Sequence, residues 1–244
     1  MTKPIADPCI LALETSGALL SVAVHHAGKN ASLISHEITH GHAKDIVPTA
    51  QHALELAGFD FKRITHVAAG TGPGSFTGIR VALACAKGFC LAWGAQGIGV
   101  SGLQALASNA VDQGHNKGAP MLITADTRRG ALYCQFFDAE GRATGAIFEA
   151  EPPALPARYP HLKDQPLYIC GFEYKAVAND FALQGGQVIQ PAKIEPLDAA
   201  MIAADANRQI MAKTLTPLTP LYLAEAKLGS PKKDKAKAVT TAQG

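Results

Sequence analysis

The sequence has few charged residues and no long apolar run, and these shortages exclude two classes of protein. Charged residues make up 17% of the 244 positions and apolar residues 48%. This apolar content is enough to form the core of one large or two modest domains. No unbroken apolar run reaches the roughly 18 residues that span a membrane, and residues 1–4 lack the apolar segment of a signal peptide. We therefore predict a cytoplasmic protein that does not enter a membrane.

Cysteines are few, odd in number and never arranged as a C-x-x-C pair. All five lie in apolar runs: Cys9, Cys85, Cys90, Cys134 and Cys170. This pattern favours buried free thiols over a zinc or redox site.

Positive charge is concentrated at the end of the chain. Residues 225–244 hold five lysines against two carboxylates, a net charge of +3, which leaves −1 for the remaining residues. A chain that bound tRNA by itself would need clustered phosphate contacts, and no basic stripe precedes this tail. We expect a solvated, disordered tail in preference to an RNA-binding one.

The first half of the chain alternates strand and helix patterns in a recognisable order. Strand-like runs separated by turn signals at residues 16–17 and 27–30 predict strands at residues 9–13, 19–25 and 31–38. Helical periodicity then predicts helices at residues 46–57, 79–93 and 101–111, separated by strands at residues 64–69 and 97–100. Three antiparallel strands followed by helix, strand, helix, strand and helix is the order of a ribonuclease-H-like half.

A weak internal repeat predicts a second half of the same kind. Residues 11–19 are echoed by residues 123–132, where a strand ends at a carboxylate and a threonine, turns at a glycine and resumes. Duplicated α/β halves build the actin, sugar-kinase and heat-shock ATPase architecture, with a nucleotide cleft between them. We therefore expect a first half at residues 1–115, a reduced second half at 116–224 and the tail at 225–244. The proline-rich residues 152–166 are predicted to be irregular.

A glycine-rich loop at residues 70–80 joins a predicted strand to the apolar helix. Its sequence, Gly-Thr-Gly-Pro-Gly-Ser-Phe-Thr-Gly-Ile-Arg, has no lysine after Gly78 for a P-loop, and a dinucleotide fingerprint would need a glycine where Ser75 stands. We expect Gly72, Gly74 and Gly78 to shape a strand-to-helix turn, with Ser75 or Thr77 capping the helix.

The loop resembles, over all eleven residues, the GxGPGSFTGxR signature of the bacterial TsaB family. The similarity extends to residues 10–16, 46–48, 99–101 and 126–128, and so covers about the first 135 residues. Proteins of this family are the non-catalytic partners of TsaD, which transfers a threonylcarbamoyl group to the adenosine beside the tRNA anticodon, at position thirty-seven. The resemblance implies a scaffolding subunit that binds a TsaD-like chain and reaches tRNA only through the complex.

The same resemblance implies that this chain has no catalytic metal. TsaD proteins bind their metal through a His-x-x-x-His pair, and the matching positions here are Gly102 and Leu106, which cannot ligate. No metal, cofactor or catalytic residue is therefore expected. The resemblance also implies a TsaE-like ATPase as a third subunit and leaves open a homodimer of the isolated chain. The family's Pro-x-Tyr-Leu-Arg ends here in Ala224, so any contact of that arginine is missing.

An alternative is a free-standing ATPase or kinase of the same fold. Glu14 and Asp126 would be its Mg²⁺ carboxylates. In a non-catalytic chain the same two residues, with Thr15 and Arg128, would mark a vestigial nucleotide cleft. Ordinary turn chemistry also explains both carboxylates without Mg²⁺ binding, and the second half shows no clear adenosine-binding loop. A metalloprotease is disfavoured because the histidine pair is missing.

The helix at residues 79–93 is apolar nearly all round, with only Arg80 and Lys87 charged. Such a helix must be covered on more than one side, either by another protein or wholly within this chain. We favour a partner and predict that the two helices at residues 46–57 and 79–93 bind it. The predicted contact residues are Ile46, Ala50, Ala53, Ile79, Ala82, Leu83, Ala86 and Cys90.

Overall fold

The first sheet combines three antiparallel strands with two parallel ones. A computed structural model describes residues 7–37, 42–158, 164–191, 196–221 and 223. Its first five strands are β1 (Cys9–Glu14), β2 (Leu19–His26), β3 (Lys29–Glu37), β4 (His66–Gly70) and β5 (Gln96–Val100). They lie in the order β3-β2-β1-β4-β5, with β1, β2 and β3 antiparallel and with β4 and β5 parallel to β1.

The second sheet repeats this arrangement with shorter strands. They are β6 (Met121–Asp126), β7 (Leu132–Phe137), β8 (Phe148–Ala150), β9 (Leu167–Gly171) and β10 (Val188–Ile189). Their order, β10-β9-β6-β7-β8, places β6 where β1 stands in the first sheet, with the same pattern of antiparallel and parallel pairs. The predicted fold, two ribonuclease-H-like halves with the second reduced, is confirmed.

In the described ranges, six α-helices connect and cover the sheets. They are α1 (His42–Ala57), α2 (Phe76–Trp93), α3 (Gly102–Asp112), α4 (Leu155–Arg158), α5 (Tyr174–Leu183) and α6 (Ala199–Ala212). Pro48 lies inside α1 and does not begin it. Within residues 152–166, predicted to be irregular, a 3₁₀ helix (Pro152–Ala154) leads into α4. Proline is tolerated there because the first turn of a helix leaves its N–H groups unpaired.

Helices cover both faces of the first sheet. The side chains of α1 and α2 form one core with β1, β2 and β4, and those of α6 form another on the opposite face. All six residues of β1 are consequently buried, which explains its continuous apolar sequence. Because α6 belongs to the second half by chain position but packs on the first sheet, the boundary at residue 115 does not separate two independent cores. The basic tail lies outside the described residues.

The five cysteines are free thiols. Cys9, Cys134 and Cys170 are buried, as predicted, whereas Cys85 and Cys90 on α2 are half-buried. Burial raises the pKa of Cys85 to about 11 and that of Cys134 to about 12, so both thiols are protonated at neutral pH.

Candidate partner-binding surface and interdomain cleft

The inner faces of α1 and α2 pack on the first sheet. Seven of the eight predicted contact residues lie in this core and expose at most 6% of their surface, while Cys90 is half-buried. The seven are Ile46, Ala50, Ala53, Ile79, Ala82, Leu83 and Ala86. Because the chain itself covers these side chains, a partner that contacts α1 and α2 must use their opposite faces. This corrects the residues of the predicted surface, while partner binding by the two helices stays a prediction.

The outer faces of α1 and α2 form a groove of about 470 Å³. Val47 and Phe76 line it with 49% and 47% of their surfaces exposed, and the Arg80 guanidinium carbon lies 3.7 Å from the centre of the Phe76 ring. The other lining residues are Ala43, Ile46, Thr77, Val81, Ala84 and Cys85. A single exposed apolar residue is ordinary, but a continuous apolar groove between two helices is typical of a binding surface.

By length and composition, α2 also resembles a membrane-spanning helix. Its 18 residues have a mean hydropathy of 1.3. In the structure 33% of this stretch is buried, because the inner face packs on the sheet as a core helix does. The apolar residues on its outer face account for the rest of the high hydropathy and are those that a partner can cover.

The glycine loop turns the chain from β4 into α2 and packs against the turn that follows β1. The Ser75 side chain accepts the N–H of Gly78 at 3.2 Å, which confirms Ser75 as the helix cap, while Thr77 is exposed and lines the groove. The Ser75 N–H donates to the carbonyl oxygen of Ser16 at 2.7 Å, and the Thr15 hydroxyl donates to the Gly78 carbonyl oxygen at 2.7 Å. The loop and the β1–β2 turn therefore hold each other in place.

Glycine is required in this loop because the chain approaches itself closely. Gly72 has a φ of +95°, and a Cβ there would lie 2.6 Å from Ile79 Cδ1. A Cβ on Gly74 would lie 2.6 Å from the Ser16 carbonyl oxygen, and one on Gly78 would overlap the Thr15 carbonyl oxygen. The space that a side chain would need is filled by backbone at Gly74 and Gly78 and by the Ile79 side chain at Gly72.

Glu14 is buried at the end of β1, with 1% of its surface exposed. Its Oε1 accepts the N–H of Ser16, whereas Oε2 has no hydrogen-bond partner within the described part of the chain. A Cβ on Gly70 would overlap Oε2, so glycine leaves room for the carboxyl group. Burial raises the pKa of Glu14 above its usual value of about 4.5; the Ser16 hydrogen bonds oppose the rise and the charge of Asp198 adds to it.

Replacing Glu14 by glutamine is expected to stabilise the protein at neutral pH and not at low pH. A raised pKa means that the folded state binds the Glu14 proton more tightly than the unfolded state. Protonation of Glu14 therefore stabilises the wild type fully below about pH 4.5, and the wild type loses this contribution as the pH rises through the folded-state pKa. Each tenfold preference for the protonated carboxyl corresponds to about 1.4 kcal/mol. Urea unfolding of wild type and Glu14→Gln across pH measures the difference. A difference that does not depend on pH would contradict the assignment.

A cleft of about 610 Å³ lies between the halves, where the β1–β2 turn, the glycine loop and the start of α3 face the ends of β6 and β9. Asp126 and Arg128 line it. The Arg128 Nε lies 3.3 Å from Asp126 Oδ2, and the Arg128 N–H donates to Asp126 Oδ1 at 2.6 Å. Glu14 and Thr15 are buried and do not line the cleft. Only half of the predicted nucleotide-cleft residues therefore reach it.

The positions that match the family's metal ligands also lie at this cleft. Gly102 begins α3, and Leu106 follows one turn later, so the cleft wall is apolar there. In the ranges of the chain that the structure describes, no three His, Cys, Asp or Glu side chains lie together as a metal site would require.

Of the residues that line the outer groove, Ile46 alone was singled out as a contact from the sequence. The signal was present, since α2 is apolar nearly all round, but periodicity alone does not tell which apolar side faces the sheet. Val47 and Phe76 follow from the structure once the inner faces are known to be covered.

Comparisons of the sequence with known proteins match one family model and its curated relatives. Residues 34–210 match the family model described as TsaD, tRNA N6-adenosine threonylcarbamoyltransferase. The TsaB protein of Escherichia coli is 32% identical over 151 residues, 58% of this chain and 63% of that protein. The TsaB protein of Haemophilus influenzae is 31% identical over 124 residues, 51% of each chain. The matched region thus spans less than two thirds of either relative.

Solved structures share the architecture. A Pseudomonas aeruginosa protein described as similar to the peptidase YeaZ superposes with a TM-score of 0.74, at 22% identity, over 89% of this chain and 100% of that one. A ROK hexokinase from Thermus thermophilus reaches 0.51, at 12% identity, over 80% and 97%. Identities this low show the fold alone. With the family model matching well over half of the residues, the chain belongs to the TsaD family, and the curated relatives that it resembles there are named TsaB.

Proposed function

We propose that this chain is a non-catalytic scaffolding subunit that binds a TsaD-like transferase and supports threonylcarbamoylation of the tRNA adenosine at position thirty-seven. The relatives named TsaB and the family model support a role in this biosynthesis. tRNA is reached through the complex. The proposal depends most on one observation, the apolar groove on the outer faces of α1 and α2.

Two exposed helix faces are large enough for a stable interface. A standard interface buries about 800 Å² on each partner. Helices of 16 and 18 residues with a shared apolar groove can supply an area of this order. Val47 and Phe76 would be the apolar contacts at the groove, and Arg80 would be held over the Phe76 ring at its side.

The small residues on the outer face of α2 favour a helix as the partner element. Ala84 and Gly88 are both exposed and lie one turn apart on α2. A Cβ on Gly88 would meet nothing within 4 Å, so no contact inside this chain requires glycine there. Glycine inside a helix costs about 0.5–1 kcal/mol relative to alanine. Close approach of a second helix at this point would explain why the cost is accepted.

The absence of catalysis is proposed from the residues at the cleft. Gly102 and Leu106 stand where the family's metal ligands would be, and neither side chain can bind a metal. The chain would then contribute a binding surface, while the partner would contribute the chemistry.

Mg-ATP binding separates this proposal from a free-standing ATPase or kinase. Glu14 does not line the cleft and Asp126 is paired with Arg128, so we expect calorimetry of the isolated chain with Mg-ATP to detect no binding. Asp126→Asn serves as the comparison, because it removes the other carboxylate predicted to bind Mg²⁺. If the wild type binds Mg-ATP at micromolar concentration and Asp126→Asn abolishes this binding, the result would favour the ATPase or kinase alternative.

The direct test is complex formation. Size-exclusion chromatography of the chain mixed with the TsaD-like protein of the same organism should give a complex that elutes ahead of either component. Addition of a TsaE-like ATPase tests the third subunit, and the chain run alone tests a homodimer. Separate elution of the chain and the TsaD-like protein at micromolar concentrations would contradict the proposal.

A further inference from the structure

Residues 214–221, here called the strap, follow α6 and wrap the edge strand β5. The helix α6 packs on one face of the first sheet, while Leu218 of the strap is buried in the core on the other face. Between them the Gly99 N–H donates to the Thr216 carbonyl oxygen at 2.8 Å. The Gln209 side chain of α6 bonds both the Gly99 carbonyl oxygen, at 3.1 Å, and the Thr216 N–H, at 2.9 Å. The strap therefore crosses from one face of the sheet to the other.

Two glycines of β5 make room for the strap. A Cβ on Gly97 would lie 2.5 Å from Leu218 Cδ1 and 3.3 Å from the Cys90 sulfur atom of α2. A Cβ on Gly99 would overlap the Pro217 carbonyl oxygen. Leu218 and Cys90 therefore border the same space, between the edge of the sheet and the C-terminal half of α2.

The strap ends at the glycine loop that begins α2. The Leu221 N–H donates to the Thr71 carbonyl oxygen at 3.0 Å. The Thr71 N–H and hydroxyl both donate to the Val100 carbonyl oxygen, at 2.8 and 3.1 Å. One short segment thus contacts the loop before α2 and the region beside its last turns.

We propose that the strap positions α2, and with it the outer groove, and that Leu218 is its main positioning residue. The inner face of α2 packs on β4 and β1, but β5 offers only the glycines 97 and 99 on that side. Trp93 of α2 stacks on Phe61, with 4.5 Å between the ring centres, and at the edge of the sheet Leu218 supplies the packing surface for the C-terminal half of α2. The consequence for a partner rests on the proposed function of the groove, whereas the positioning of α2 does not.

Hydrogen exchange on the isolated chain tests the positioning. Leu218→Ala removes the side chain from the space. Gly99→Ala leaves the sequence of the strap unchanged but places a methyl group against the Pro217 carbonyl oxygen and, at 2.8 Å, against Thr71 Cγ2. Both variants should exchange at least tenfold faster than wild type at residues 87–93, with a smaller change in β2, and Leu218→Met should restore the wild-type rate. Gly145→Ala is the matched control, because a Cβ there meets nothing within 4 Å. Wild-type exchange at residues 87–93 in both variants, or an equal rise in β2, would overturn the proposal.

Affinity for the TsaD-like protein tests the link to the groove. Leu218→Ala and Gly99→Ala should bind at least tenfold more weakly, and Leu218→Met and Gly145→Ala should bind as the wild type does. Wild-type affinity in variants whose α2 exchanges faster would show that the strap does not serve the groove. If the wild type itself does not bind, the proposed function fails, and the exchange experiment still decides whether the strap positions α2.

Discussion

Arginine at position 84 should abolish binding of a TsaD-like partner and leave the chain folded, whereas arginine at position 86 should prevent folding. Ala84 is exposed and lines the outer groove, so its replacement places a cation in the proposed interface. Ala86 is fully buried on the first sheet, and an arginine there has neither space nor a counter-ion. An unpaired buried cation costs about 3 kcal/mol or more, which corresponds to at least a hundredfold loss of affinity at position 84.

Chromatography with the partner and thermal unfolding of each variant measure the two effects. Ala182→Arg adds the same charge at an exposed position of α5 in the second half, and should affect neither property. If folded Ala84→Arg still forms the full complex, the groove is not the interface. If Ala86→Arg folds with wild-type stability, the assignment of the inner face of α2 is wrong.

Alanine at two glycines of the same helix should change stability in opposite directions. At Gly78 a methyl group would overlap the Thr15 carbonyl oxygen. The Thr15 hydroxyl donates to the Gly78 carbonyl oxygen and the Gly78 N–H donates to the Ser75 hydroxyl, so these bonds oppose the separation that a methyl group would require. We expect Gly78→Ala to destabilise the chain by about 1–3 kcal/mol, as overpacking does. At Gly88 nothing lies within 4 Å, and we expect Gly88→Ala to stabilise it by about 0.5–1 kcal/mol.

The midpoints of urea unfolding at constant slope report both changes, and Gly88→Ala is the matched control for Gly78→Ala because the substitution and the helix are the same. Equal changes in stability at the two positions would mean that helix propensity alone determines the effect of alanine. A stable Gly78→Ala variant would show that the β1–β2 turn does not constrain the glycine loop as its hydrogen bonds indicate.

Much of the architecture was predictable because it depends on local sequence patterns. Three features each depend on residues near one another in the chain. They are the apolar strands β1 and β2, the repeat of that hairpin at residues 123–132 and the glycine loop. The cap by Ser75 follows from the same neighbourhood, since a cap contacts an N–H only three residues away. The order of these patterns was enough to predict two halves of one kind.

The candidate site was less predictable because it depends on which surfaces meet. Seven of the predicted contact residues are buried in the core between the helices and the sheet, since an apolar helix shows that it is covered without showing by what. Glu14 has the sequence context of a cleft carboxylate, yet its side chain is buried and does not line the cleft. No local pattern reports the direction in which a side chain at a strand end points.

The sequence by itself determined the order of strands and helices along the chain and the glycine loop, and it narrowed the cap to Ser75 or Thr77, because these follow from hydrophobic pattern and turn chemistry within a few residues. Only the tertiary structure decided that α6 returns to the first sheet, that the strap occupies the space left by Gly97 and Gly99, and that the outer groove is what remains for a partner. An amphipathic helix must bury its apolar side somewhere. Which face it covers depends on the faces that the rest of the chain leaves open.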